Sequence, residues 1–196
     1  MLHFRRLALA GTATAVLLSL APAANASAIP DQSRETSAKG ISAAVTLRYD
    51  DSQARGWEAA ITAGVASWNN NVDNVKLVEA PPGTRAEIQI VATSGWPQAS
   101  LGPVRPGGRA RVELGSQAVA QGHDKTRITA HELGHNLGLP DTKPGPCSQL
   151  MSGSSAGTSC KNAIPDATEQ ARVEAAYGNG IAALVPAGGR ILVDAG

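Results

Sequence analysis

Thr129-Ala130-His131-Glu132-Leu133-Gly134-His135-Asn136-Leu137-Gly138-Leu139-Pro140-Asp141 is the stretch from which the remainder of the chain can be ordered. On a helix, residues i and i+4 share a face, so His131 and His135 aim their imidazoles at one point. Two nitrogens so placed suit a zinc ion at roughly 2.0–2.1 Å. Glu132 stands beside the first histidine, where a carboxylate can act on an attacking water without binding the metal. Gly138 can take the left-handed conformation that closes a helix, and Pro140 keeps helix from resuming. The returning chain then offers Asp141, six residues after His135, as a third ligand. Short motifs recur by chance, but the chain holds only 4 histidines, and two of them fall at this spacing with glutamate in the required slot. The pattern predicts a zinc-dependent hydrolytic centre with Glu132 as general base.

Three further segments belong with it: Gly122-His123-Asp124 followed by Thr126-Arg127, then Gly145-Pro146-Cys147, then Leu150-Met151-Ser152-Gly153. Together they resemble the metzincin clan of metalloproteases, whose zinc helix stops at a glycine and whose downstream methionine lies in a tight turn below the metal. Most of that clan uses histidine as third ligand. Asp141 makes this chain similar to the snapalysin family, small secreted neutral proteases of bacteria. The resemblance covers roughly Val45 to Gly180. It implies zinc on His131, His135 and Asp141, Met151 in the methionine turn, and synthesis as a precursor. Protein or peptide substrates follow, with an aromatic residue preferred just after the cut. It also implies a structural calcium at Asp124 and Thr126. The residues themselves read those two first as caps of the zinc helix, because a side-chain oxygen there satisfies an orphan amide. Calcium, which takes carboxylate and carbonyl oxygens, is the sharper reading.

One position departs from the family. Its members usually carry a tyrosine two residues after the third ligand, thought to assist the tetrahedral intermediate; here Asp141-Thr142-Lys143 puts a lysine there. An ammonium at that place is a candidate oxyanion stabiliser by charge. Two rivals stay open. The third ligand could be Glu169 or Glu174 on the last helix, as in thermolysin-like proteases, although Gly138 and the methionine turn argue against it. Alternatively, the replacement by Lys143 could leave a catalytically weak or inactive, zinc-bound secreted binding module.

At the start, Met1 to Ala26 reads as a targeting segment. Arg5 and Arg6 precede an apolar run from Leu7 to Ala21, and Ala24-Asn25-Ala26 or Ala26-Ser27-Ala28 supplies a cleavage site. That run is short for a membrane span, so export without stable membrane association is expected. Residues 27–43 are polar and read as a propeptide or an unstructured mature terminus, the family tilting the choice toward a removed segment. Residues 44–180 then have the composition of one globular domain. A net charge of +1 gives no field to steer nucleic acid, and 3% aromatic residues leave few platforms for bases. A monomer is expected.

Within the domain, Ala44–Tyr49, Val75–Val78, Ala86–Val91 and Arg109–Leu114 read as strands. Ser52–Trp68 reads as an amphipathic helix with Trp57, Ile61, Val65 and Trp68 on its core face. Gly95–Gly108, rich in Pro and Gly, reads as a long surface loop. The interleaved charges of Arg109–Leu114 suit an exposed edge, and by resemblance that strand is the candidate to receive an extended substrate. Asp166–Tyr177 is a last helix, capped by Asp166 or Thr168 and stopped by Gly178. Cys147 and Cys160, the only cysteines, are expected to pair after export. Residues 181–196 are an extension with three readings: a disordered tail, an added strand, or a trimmed segment. The fold class predicted is α+β, a single zincin-like domain with a twisted mixed sheet on two or three helices.

Overall fold

The computed structural model describes residues 43–178 and 190–193. The predicted targeting segment Met1–Ala26 and the polar stretch up to residue 42 lie outside the described residues, as does the extension apart from residues 190–193.

Alternation begins the sheet. In β1 (Val45–Gln53) Val45, Leu47 and Tyr49 are buried while Thr46 and Arg48 are exposed. There follow α1 (Glu58–Asn71), β2 (Val75–Glu79), β3 (Ile88–Thr93), β4 (Gln98–Leu101), β5 (Ala110–Gly115), α2 (Ser116–Ala120), α3 (Lys125–Asn136), a 3-10 helix Leu150–Ala156, α4 (Ala167–Tyr177) and β6 (Arg190–Val193). These strands form a mixed sheet in the order β2-β1-β3-β5-β4-β6. β1 is parallel to β2 and β3, and β3 to β5, with Ile88 opposite Ala110 and Thr93 opposite Gly115. β4 runs antiparallel to both β5 and β6. The class is mixed α+β, as predicted.

The stripe Trp57, Ile61, Val65 and Trp68 is buried in the same core as Leu47, Ile88, Ile90, Val112 and Leu114. Each such large side chain contributes about 1.5–3 kcal/mol when taken from water. α1 and α3 pack closely because Gly64 has no side chain: a Cβ there would lie 3.0 Å from Thr129 Cγ2 and 3.1 Å from Ala130 N. Trp68 Nε1 donates to Ala130 O at 2.8 Å, so the indole's polar end is satisfied inside the core. Among the described residues, no helix is long and apolar enough to cross a membrane.

Three sequence expectations are corrected. Ser52 belongs to β1, and α1 starts only at Glu58, because Gly56 sits at φ +85° in a turn where Trp57 N donates to Ala54 O. A residue in the left-handed region cannot continue a right-handed helix. Gly95–Gly108 contains β4, whose four residues carry too little pattern to stand out between prolines and glycines. Finally, β5 is an interior strand between β3 and β4. Its charged positions mark a solvated face of the sheet and not an edge: Arg111 and Glu113, two apart and so on one face, pair there at 2.7 Å. The strand beyond β5 is β4, which is itself paired on its far side by β6, so among the described strands the edge on this side is β6.

Candidate metal centre

α3 begins at Asp124, whose Oδ1 accepts from Arg127 N at 2.9 Å, so of its two readings the capping one is seen. Every residue from Arg127 to Asn136 is buried. On one face of this helix lie His131 and His135, with ring centroids 4.6 Å apart. The helix stops at Leu137, Gly138 takes φ +103°, and the chain returns to place Asp141 Oδ1 3.2 Å from His131 Nε2 and 3.6 Å from His135 Nε2. Among the described residues, these three form the group of His, Cys, Asp or Glu side chains able to hold a metal ion, with ligand atoms all within 4.8 Å of one another.

The donor set fits zinc. Ligand atoms arranged tetrahedrally at zinc distances stand roughly 3.3 Å apart, close to the two carboxylate–imidazole separations. The tautomers fit as well. His131 Nδ1 lies 3.0 Å from Leu150 O and His135 Nδ1 2.7 Å from Leu139 O, so each Nδ1 carries the proton and each Nε2 is turned to the common point. Asp141 completes the charge. Burial pushes its carboxyl up, but its neighbours His131, His135 and Lys143 outweigh this and hold it below the usual value. Glu132 is fully buried on the same turn of helix and outside the ligand group.

Met151 lies beneath. It is fully buried, and a Cβ on Gly134 would stand 2.6 Å from its sulfur and 3.1 Å from Trp68 Cζ2. Gly134→Ala therefore overfills this contact, at a cost of about 1–3 kcal/mol, against up to about 1 kcal/mol regained from helix propensity. The expected outcome is a net lowering of the unfolding temperature, read by calorimetry; an unchanged or raised temperature would show that Met151 yields freely.

Sequence reading missed the groups that hold this turn. Buried Arg127 donates to Gln149 O at 3.0 Å, Leu150 O at 3.3 Å and Ser152 Oγ at 2.9 Å. From α4, Glu169 accepts from Leu150 N at 3.1 Å and Met151 N at 2.7 Å, besides the Asp166 amide in a capping box. Leu150 O, so fixed, is the partner of His131, while Met151 O accepts from Thr142 N at 2.8 Å, one residue past Asp141. The turn thus carries both ends of the ligand set. Only the capping-box half of the Glu169 role had a local sequence signal.

Neither rival third ligand lies in the group: Glu169 is engaged with the turn, and Glu174 accepts from Asp73 N and Asn74 N. Lys143 Nζ stands 3.9 Å from Asp141 Oδ2, on the side of the carboxylate away from the histidines. Thr126, the second predicted calcium ligand, lies in the first turn of α3. Cys147 and Cys160 are bridged, closing the segment that carries Met151. A bridge of this span contributes about 3 kcal/mol in the chain-entropy model. Alkylation of the non-reduced protein should find no free thiol, and the Cys147→Ala, Cys160→Ala double variant should lose stability by about that amount.

Comparison with known proteins gives the following. The model of the Streptomyces extracellular neutral proteinase family matches residues 44–180. The extracellular small neutral protease of Streptomyces coelicolor is 43% identical over 139 residues, which is 71% of this chain and 62% of that protein. The protein of the same name from Streptomyces caespitosus is 40% identical over 136 residues, 69% of this chain and 99% of that one. The chain thus spans less than two thirds of the first relative and nearly all of the second. Among solved structures, high choriolytic enzyme 1, a hatching-enzyme zinc-protease of the medaka fish Oryzias latipes, aligns at 18% identity over 69% of this chain and 90% of that one, with a TM-score of 0.47.

Proposed function

The chain belongs to the Streptomyces extracellular neutral proteinase family, and on that premise we propose that it is a secreted zinc metalloendopeptidase. The observation that carries this is the convergence of His131, His135 and Asp141 on one point, with both Nδ1 atoms tied to backbone carbonyls. The chemistry a bound zinc ion supplies is Lewis acidity, which polarises a carbonyl and lowers the pKa of water toward about 7.

The chain's own residues do the rest. Glu132 takes the proton of the attacking water as general base and hands it to the leaving amine. Its burial keeps that exchange out of bulk solvent. Leu150 O and Leu139 O hold the two imidazoles in orientation, as outer partners of metal ligands do. Protein or peptide substrates, export guided by Met1–Ala26 and the aromatic preference just after the cut belong to the same reading. So does a structural calcium at Asp124 and Thr126, which rests on the family resemblance. The direct test is casein hydrolysis by the mature chain beside its Glu132→Gln variant. Hydrolysis equal in both would overturn the mechanism.

Lys143 sets how fast the enzyme runs. Its ammonium lies 3.9 Å from Asp141 Oδ2, so in this reading the charge that would stabilise an oxyanion is partly spent on the ligand carboxylate. A tyrosine hydroxyl would donate without drawing on the ligand carboxylate. One oxyanion donor is worth about 100- to 1,000-fold in turnover. Lys143→Tyr is therefore expected to raise kcat, by up to about 100-fold, with zinc content unchanged. A fall in kcat would make the lysine itself the catalytic group. If neither form cleaves any peptide, the binding-module reading takes its place.

A further inference from the structure

β6 lies outside the family match of residues 44–180 and is laid along β4 by the chain's own C-terminal segment. Arg190 stands opposite Leu101, Ile191 opposite Ser100, Leu192 opposite Ala99 and Val193 opposite Gln98. Without it, β4 would be the edge of the sheet, since its other neighbour is β5.

That edge is the one fastened to the metal-binding helix. Asn136 Nδ2 donates to Ser100 O at 2.7 Å. Just past the strand, Gly102 N donates to His135 O at 2.7 Å and Val104 N to Asn136 O at 2.9 Å. A chain paired on β4 therefore runs beside the helix end that carries His135. Edge strands recruit extended peptides through a main-chain ladder, in which any sequence of suitable shape can take part. We propose that β6 is a built-in competitor: it fills the β4 edge that an extended peptide would otherwise occupy, and a peptide binds there by displacing it.

The two partners of β4 are held unequally, which decides which of them leaves. β5 is paired with β3 over six residues and has Val112 and Leu114 fully buried. β6 is four residues long, pairs with β4 alone among the described strands, and leaves Ile191 63% exposed. At Ile191 little apolar area is given up when β6 departs, and an incoming strand replaces the main-chain bonds one for one. A competitor tethered to the same chain acts at an effective concentration on the order of mM, enough to weaken peptide binding without abolishing it.

The nature of the occupant, an extended peptide, rests on the reading of the site as a peptidase. The test is accordingly made on binding. In zinc-loaded Glu132→Gln protein, which holds a peptide without cutting it, the affinity for a fluorescein-labelled unstructured decapeptide is measured by fluorescence polarisation. Two changes are added separately to that background: a stop after Gly189, and Leu192→Pro, which cannot complete the ladder. Tighter binding by about 3- to 10-fold in either variant that melts like its parent supports the proposal. Unchanged or weaker binding in both, or no binding to any form, overturns it and leaves β6 as a cover for the edge. A second measurement needs no variant. Saturating decapeptide should speed hydrogen exchange at residues 190–193 of the intact chain, and retained protection there with peptide bound overturns the proposal. Neither measurement needs turnover, so a failure of casein hydrolysis would strike the enzymatic reading and leave this one separately decided.

Discussion

Replacing Glu132 by glutamine should reduce casein hydrolysis by about 100- to 10,000-fold, the range general acid–base catalysis supplies. The substitution is close to isosteric, which matters because the side chain is fully buried and a smaller residue would leave a cavity. What it removes is the carboxylate's ability to accept and return a proton. Among the described residues the metal group is His131, His135 and Asp141, without Glu132, so zinc content should stay at one ion per chain. Measuring both quantities on the same preparation separates the two roles. Activity lost together with zinc would mean that Glu132 supports the metal; activity retained with zinc bound would mean that another group is the base.

Removal of the metal should have an effect at least as large. A chelator is expected to bring hydrolysis to background, and zinc to restore it. Asp141→Ala should make recovery require far more zinc. Loss of a mere outer partner of a metal ligand costs about 10- to 100-fold in affinity, and Asp141 is placed as a ligand, with Oδ1 3.2 Å and 3.6 Å from the two Nε2 atoms. Glu174→Ala is the matching control. Its carboxylate is occupied by the amides of Asp73 and Asn74, so its loss should leave zinc content unchanged. Zinc lost with Glu174 and kept without Asp141 would restore the rival ligand assignment. Full activity in metal-free protein would end the zinc mechanism.

These predictions rest on residues that were readable before any coordinates, and the reason is local. His131, Glu132 and His135 share one turn of helix, so spacing alone brings them together. The stop at Gly138 and the return to Asp141 are written in a glycine and a proline within a few residues. The buried stripe of α1, the helix cap near Asp166 and the bridge between Cys147 and Cys160 have the same character. Each is a periodicity, a neighbour bond or a count.

Strand order is of another kind. The charges of Arg111 and Glu113 look alike on an edge strand and on the wet face of an interior one, and only the presence of β4 beside β5 distinguishes them. β4 and β6 are four residues each, too short to show a period, and they meet through main-chain groups that every residue carries. Arg127 and Glu169 belong with them: their partners at Leu150 and Met151 lie about 20 residues away on either side and are backbone atoms. The sequence by itself determined the candidate ligands, the candidate base, the helix that carries them and the disulfide, because those depend on side-chain identity at short range. Which strand stands next to the metal helix, what lies on that strand's far side, and what holds the methionine turn were decided only by tertiary structure, because backbone pairing between distant segments leaves no mark in residue type.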